Sequence, residues 1–380
     1  MRLLHIGDLH LGKYLLETPL LDDQRYVLEA AVAAAAQHSV DAVLIAGDIY
    51  DRSVPPADAV GVLDDFICEL SNRNIPVLAV SGNHDSPERL EFGSRLFSGR
   101  GVHIAGYYNG DLRQVVLNDK YGNVNFYLLP FIKPAMVRSF FDDDINTTQD
   151  AVSAALRGIS FDQTERNVLI AHQFVCAGEH SPETCESETI SIGGSDSVDV
   201  SCFDGFDYVA LGHLHRSQYI GRNSVRYAGS PLKYSLSEVR HNKSFTLVTI
   251  GEKGQVETEL ISISPLHDLR KITGKLDDLI TAAKSSSAGS NDYIHAVLTD
   301  DSAIDPAARL RMVYPNLLHV EINRAARESY NNTDADPMAH KSEPELFENF
   351  YRHIHGMDLT QEQRTVFDGV FAKIKEDEKP

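Results

Sequence analysis

At 380 residues the chain is long for one domain, so a main domain with smaller additions is the natural expectation. A hydrophobic fraction of 42% is enough for a real core. The net charge of -20 argues against tight, autonomous nucleic-acid binding, which needs a basic footprint.

Charge at Arg2 and Asp8 interrupts any apolar leader, and no stretch approaches the length of a membrane span. A cytoplasmic protein with no membrane partner is expected. The four cysteines, Cys68, Cys176, Cys185 and Cys202, show no paired metal spacing and read as free thiols in a reducing compartment.

In chain order, residues 2–6 read as a short buried strand that runs into GDLH, Gly7 to His10. The Ala-rich stretch 22–38 favours helix. Residues 42–46 form a second strand that runs into GDIYD, Gly47 to Asp51. Residues 58–72 place Val60, Leu63, Phe66, Ile67 and Leu70 near helical period. A third strand, 76–80, leads to GNHD, Gly82 to Asp85. From about residue 100 the helical signal thins. Strands are expected at 125–129, at 167–171 before AHQF, at 207–211 before GHLH, in a hairpin over 218–227, and at 244–250 and 256–263. Alternating strands and helices followed by more strands predict an α/β fold of two facing sheets with helices outside.

A break near Pro265 separates residues 1–264 from a small α+β unit over 265–327, with a flexible stretch at 285–290 and strands at 292–299 and 317–322. The polar run 328–342 reads as a linker. Residues 343–380 carry two short helical patterns, with Leu346, Phe350 and Ile354 on one face of the first and Val366, Phe367, Val370, Phe371 and Ile374 lining the second. Such faces bury against the chain's own body or dock into a partner.

The five motifs supply carboxylate, amide and imidazole ligands and no thiolate. Strand alternation can point Asp8 and His10 to one side, and a glycine before each ligand allows a sharp turn and room for phosphate. This donor set suits manganese, iron or zinc better than calcium, with magnesium weakly held. Two such ions roughly 3.5 to 4 Å apart can clamp a phosphodiester and activate water. His5, His38, His103, His180, His241, His267 and His295 lack a partner at useful spacing and read as structural.

The ordered set GDLH, GDIYD, GNHD, AHQ and GHLH resembles the calcineurin-like metallophosphoesterase superfamily. DLHLGK at Asp8 to Lys13, AGDIYDRSVPP at Ala46 to Pro56, SGNHDSPERL at Ser81 to Leu90 and YAGSPLKYSLSE at Tyr227 to Glu238 look like the SbcD family of bacterial nuclease subunits. That resemblance covers essentially the whole chain. It implies a two-sheet αββα sandwich with a small capping domain and C-terminal helices. It also implies one metal on Asp8, His10, Asp48 and His215, and another on Asp48, Asn83, His172 and His213, with Asp48 as the bridge. His84 would be the catalytic residue, protonating the leaving oxygen. Asp51 stands where archaeal and eukaryotic relatives often carry histidine, and it resembles the bacterial form.

By the same resemblance the expected function is two-manganese hydrolysis of DNA: 3′–5′ exonuclease on double strands, endonuclease on single strands, and hairpin opening, in repair, replication and recombination. The implied partner is an SbcC-like ATPase, docked by the C-terminal helices, in a heterotetramer built on a nuclease homodimer and associated with the nucleoid. Segments 58–70 and 87–97 are the candidates for the homodimer contact. The alternatives are a small-molecule phosphodiesterase or phosphatase on the same core, and a non-catalytic scaffold.

Overall fold

The computed structural model describes residues 1–159, 162–178, 181–188, 196–285, 291–300 and 305–322, with scattered positions between 347 and 367. Two six-stranded sheets organise the first of its two compact units, residues 1–298 with 303–321. The first sheet has the order Val256–Ser262, Ser244–Ile250, Arg2–Ile6, Ala42–Ala46, Val77–Val80, Val102–Ala105. Its last four strands run parallel, and Ser244–Ile250 is antiparallel to both of its neighbours. The second has the order Gln218–Ile220, Arg222–Tyr227, Tyr208–Gly212, Arg166–His172, Gly122–Leu129, Arg113–Asp119. Its central four strands are parallel and each edge strand is antiparallel.

The sequences AVLIA and VLAV are apolar at every position because these strands are covered on both faces. Alternate residues go opposite ways. Leu44, Leu78 and Val80 meet Phe126, Leu128, Val168 and Ile170 between the sheets. Val43, Ile45, Val77 and Ala79 face outward against Val27, Leu28, Val62 and Phe66 of helices Leu21–Gln37 and Ala57–Asn72. On the far side, Ala151, Val152 and Ala155 of helix Thr148–Arg157 cover Leu169, Ala171, Val209 and Leu211. The layering is helix, sheet, sheet, helix, the expected αββα class.

Among the elements beyond the expected set, three matter for the sandwich. Strands Val102–Ala105 and Arg113–Asp119 complete one edge of each sheet, and helix Thr148–Arg157 lies where the helical signal thins. That helix opens with a capping box. Thr147 Oγ1 accepts from the Asp150 N–H and Asp150 accepts from the Thr147 N–H, a local signal stronger than its short apolar face.

After Pro265, strands Leu269–Gly274, Tyr293–Leu298 and Leu317–Ile322 form a three-stranded sheet backed by helices Leu276–Ser285 and Pro306–Arg311. Leu276, Ile294, Ala296, Leu298, Leu310 and Tyr314 make its separate core. Asp23 joins it to the sandwich, accepting from Tyr293 Oη at 2.7 Å and from the His267 N–H at 3.1 Å. The second compact unit comprises 299–302 and 322–380, in which the rings of Phe347 and Phe367 stack at 4.2 Å. The expected linker at 328–342 and most of the expected helix pair, including Phe350 and Phe371, lie outside the described residues. Among the described residues no helix is long and apolar enough to cross a membrane.

At the end of the sandwich where strand Arg166–His172 begins, Arg166 fastens the sheets together. Its guanidinium is 3% exposed and donates to both oxygens of Asp119, to Gly122 O in the second sheet and to Gly251 O beyond the first. The N-terminal ammonium donates to the same Asp119 at 2.7 Å. Arg166→Leu removes the bidentate partner of Asp119 and the donor to the Gly122, Asn123 and Gly251 carbonyls in a partly buried setting, and is expected to cost about 2 kcal/mol. Urea unfolding measures it, and an unchanged midpoint would refute the clamp.

Candidate metal centre

Parallel strands end together, and the motifs begin where they end. Arg2–Ile6, Ala42–Ala46 and Val77–Val80 stop just before GDLH, GDIYD and GNHD, while Arg166–His172 and Tyr208–Gly212 from the facing sheet deliver AHQF and GHLH. Asp8 and His10 do not come together by strand alternation, because the strand stops at Ile6. Both sit in the left-handed region, at φ 51° and 45°, as do Asp48 at 46° and His213 at 103°. Such backbone costs of order 1–3 kcal/mol per residue and persists only where its surroundings enforce it.

The enforcing bonds are on hand. The N–H groups of Asp8, His10 and Leu11 donate to the carbonyls of Gly47, Asp48 and Ile49, so the first two motif loops are laced together. Buried Asp85 accepts from the N–H groups of Ile49, Tyr50 and Gly82, which ties the third loop to the second. Burial pushes its carboxyl up to about 6, against the pull of those three donors. The Gln24 amide donates to the carbonyls of Leu9 and His10 and accepts from the Gly12 N–H.

The glycines serve this close approach rather than leaving a hollow for phosphate. Gly47 takes φ 83°, and a Cβ there would strike the His172 ring; a Cβ on Gly82 would strike the Asp48 carboxylate.

All seven expected ligands converge. Asp8, His10, Asp48, His172, His213 and His215 are buried, while Asn83 and His84 are half-buried at the mouth. His10 Nε2 lies 3.1 Å from His215 Nε2 and 3.6 Å from Asp48 Oδ2. Asp48 Oδ2 lies 3.4 Å from His172 Nε2. Asn83 Oδ1 is 3.0 Å from both His172 Nε2 and His213 Nδ1. The ligand atoms of Asp8, His10 and His215 fall within 4.8 Å of one another, as do those of Asp8, Asp48 and His172, and those of His10, Asp48 and His84.

The hydrogen bonds around the ring nitrogens suit this donor set to divalent cations. His172 Nδ1 donates to Ala46 O at 2.8 Å, so in the neutral ring Nε2 is a bare lone pair facing the oxygens of Asn83 and Asp48. His215 Nδ1 is engaged by Ser187 Oγ at 2.8 Å and Glu238 Oε1 at 3.3 Å, leaving its Nε2 bare towards His10. Asp8 Oδ2 and His10 Nδ1 are buried without a hydrogen-bond partner. Imidazole nitrogens and carboxylate and amide oxygens gathered this closely are the donor set that a divalent cation takes.

The charges sort accordingly. Burial pushes Asp8 up to about 7, though nearby His172 and His215 pull it down. Burial opposes ionisation of Asp48 too, but the imidazoles of His172, His10 and His84 outweigh it and hold that carboxyl well below its ordinary range. Burial would lower His172, yet the Asp48 and Asp8 carboxylates hold the ring up, at about 9. Burial lowers His213 to about 3 and His10 well below its usual value.

His84 is placed differently from the seven. Its backbone N–H donates to Asp48 Oδ1 at 2.9 Å and its Nδ1 donates to the Asp51 carbonyl at 2.9 Å. Asp51 itself pairs with Lys13 at 2.7 Å and stands 3.8 Å from His10 Nδ1. His5, read as structural, meets Tyr208 Oη at 2.9 Å within the core.

Sequence reasoning misses the supporting residues. Glu238 closes the YAGSPLKYSLSE motif, yet nothing in the sequence gives it a role; it is buried, touches His215, accepts from Ser187 at 2.6 Å and pairs with Lys243 at 2.6 Å. Asp85, the last letter of GNHD, is likewise silent in the sequence. Cys185 also approaches His215 and Glu238, but burial pushes its thiol up to about 12, so it stays protonated. Glu238→Gln is expected to weaken metal affinity roughly 10- to 100-fold by loosening His215. Calorimetric titration of manganese into EDTA-stripped protein reads this directly, and equal affinity would exclude the orienting role.

Residues 1–217 match the calcineurin-like phosphoesterase family, and residues 265–354 match the type 5 capsule protein repressor C-terminal domain. The SbcD subunit of the nuclease SbcCD from Staphylococcus epidermidis is 33% identical over 369 residues, 96% of each chain. A dimetal phosphatase from Danio rerio aligns with 70% of this chain and 99% of its own, at TM-score 0.41 and 17% identity. The phosphopantetheinyl hydrolase of Mycobacterium tuberculosis aligns with 60% and 89%, at TM-score 0.33 and 16% identity. With a family match over more than half its length and a relative matched from end to end, the chain belongs to the calcineurin-like phosphoesterases, in the SbcD branch.

Proposed function

We propose that the chain is the manganese-dependent nuclease subunit of an SbcCD-like complex and hydrolyses DNA phosphodiesters at the centre around Asp48. The observation that carries this reading is the convergence of seven N and O donors beneath a half-buried His84. One ion would be held by Asp8, His10, Asp48 and His215, the other by Asp48, Asn83, His172 and His213. Bound there, the ions would supply positive charge against phosphoryl oxygens and acidify water.

The chain's own residues do the rest. The Ala46 carbonyl fixes the tautomer of His172, and Ser187 with Glu238 fixes that of His215, so each presents Nε2 inward. His84 commits Nδ1 to the Asp51 carbonyl, so only the charged ring carries a proton on Nε2. That proton would pass to the departing 3′ oxygen, a contribution of roughly 10²- to 10⁴-fold.

The name of the Staphylococcus epidermidis relative, a nuclease subunit of SbcCD, supports a nucleic-acid substrate and an SbcC partner; that the nucleic acid is DNA and the partner an ATPase is part of the proposal. The activities would be double-strand 3′–5′ exonuclease, single-strand endonuclease and hairpin opening, in a cytoplasmic complex at the nucleoid. A partner that supplies basic surface answers the net charge of -20. A homodimer within a heterotetramer would use the apolar patch where Phe92 and Leu96 are 82% and 81% exposed, near Val60.

The test uses a labelled DNA hairpin, manganese, and the protein with and without its ATPase partner and ATP. His84→Gln is expected to cut roughly 10²- to 10⁴-fold more slowly while binding manganese normally. Unchanged cutting would remove His84 from the chemistry. Hydrolysis of small phosphodiesters with no DNA cleaved in any mixture would favour the phosphodiesterase reading.

A further inference from the structure

Beside the metal centre lies a cavity of about 200 Å³ whose walls include Arg216, Ser217, Arg240, His241, Lys243 and Ser244. Among the described residues no carboxylate lines it, in a chain whose net charge is -20. Arg216 pairs with Glu183, and the Lys243 ammonium is taken up by Glu238, Ser230 and the His215 carbonyl. Arg240 is exposed and forms no ion pair among the described residues.

The wall also holds polar atoms that nothing satisfies. Ser217 Oγ, His241 Nδ1 and Ser244 Oγ are all buried without a hydrogen-bond partner, and Ser244 as a residue is only 8% exposed. The Glu238 carboxylate stands 3.9 Å from His241 Nδ1, beyond hydrogen-bond reach. Buried polar groups of native proteins are almost always paired, so three orphans among the residues of one wall mark side chains that gain a partner by turning towards a polar occupant. The volume exceeds the roughly 30 Å³ of one water several-fold. Hydroxyl donors beside an uncommitted guanidinium match the oxygens of a phosphate group.

The position matters as much as the chemistry. Ser244 opens a strand antiparallel to Arg2–Ile6, so it sits at the end of the sandwich where Arg2–Ile6 runs into GDLH. Ala228, also in the wall, follows the end of Arg222–Tyr227, which runs parallel to the strand that delivers GHLH. His215 belongs to both the cavity wall and the metal centre.

We propose that this cavity is a phosphate-binding site distinct from the metal centre, taking one backbone phosphate of a strand that lies across that centre. The strand rests on the function proposed above; the phosphate chemistry does not. Free inorganic phosphate offers the same oxygens, and the two sources separate by experiment.

Inorganic phosphate is titrated calorimetrically into EDTA-stripped full-length protein, as wild type, Arg240→Ala and Ser244→Ala. Saturable binding that weakens at least tenfold in Arg240→Ala and measurably in Ser244→Ala, with melting temperatures unchanged, supports the site. No saturable binding, or equal binding in all three, overturns it, since phosphate at the metal centre would ignore Arg240. A fluorescent single-stranded oligonucleotide is then bound in EDTA, where nothing is cut. A several-fold loss of affinity in Arg240→Ala, larger in Arg240→Glu, assigns the occupant to the strand; unchanged affinity overturns the strand and leaves free phosphate. Because both readouts are binding without metal, they stand or fall independently of whether the protein cleaves DNA.

Discussion

Everything at the functional end of this molecule depends on keeping the Asp48 carboxylate charged while it is buried. One oxygen takes the His84 N–H, the other faces His172 and His10, and the loop that carries it is pinned by Asp85. A buried carboxylate is tolerable only with such company. The two-sheet architecture provides it. Parallel strands of both sheets end at one edge, so two independent sets of loops reach the same point from opposite sides.

That arrangement comes with backbone strain. Asp8, His10, Asp48 and His213 all take positive φ, and ladder-like bonds between the GDLH and GDIYD loops hold the first three there. His213 is held by its own N–H, which donates to Asp8 at 2.8 Å. The same crowding explains the motif glycines, since Gly47 abuts the His172 ring and Gly82 abuts the Asp48 carboxylate. Strain of this kind fixes lone pairs in space before any cation arrives.

Much of this is legible in the sequence because the signals are local. Strands 2–6, 42–46 and 244–250 coincide with the observed ones, and each of the first motifs begins where its strand stops. That the seven proposed ligands belong together is what the family resemblance of the ordered motifs implies, and the fold gathers those side chains in one place. What escapes is non-local or short. Glu238 and Ser187 reach His215 across 23 and 28 residues of chain, and Gln24 supports the GDLH loop from a helix face with no distinguishing pattern. Strand Val102–Ala105 is four residues long, too brief for alternation to declare itself. The capping box at Thr147 is local and visible, but the apolar face that follows it is too short to stand out. Placement of the ligands also differs from expectation: alternation along a strand would aim Asp8 and His10 together, whereas left-handed turns beyond the strand position both.

The distribution of charge completes the argument. A chain this acidic repels a polyanion at long range, so binding must be won by a few sites where positive charge is both concentrated and unpaired. Most cations near the centre are committed: Lys13 to Asp51, Lys243 to Glu238, Arg216 to Glu183. These pairs stiffen the frame and attract nothing. Arg240, exposed at the rim of a hollow with orphaned hydroxyls, differs in leaving its charge open to a ligand. Paired charges build the centre, and unpaired ones decide what approaches it. On that division the low basicity of the chain is a filter: only a ligand that places phosphate oxygens at the right points, or a partner that brings its own basic surface, offsets the general repulsion.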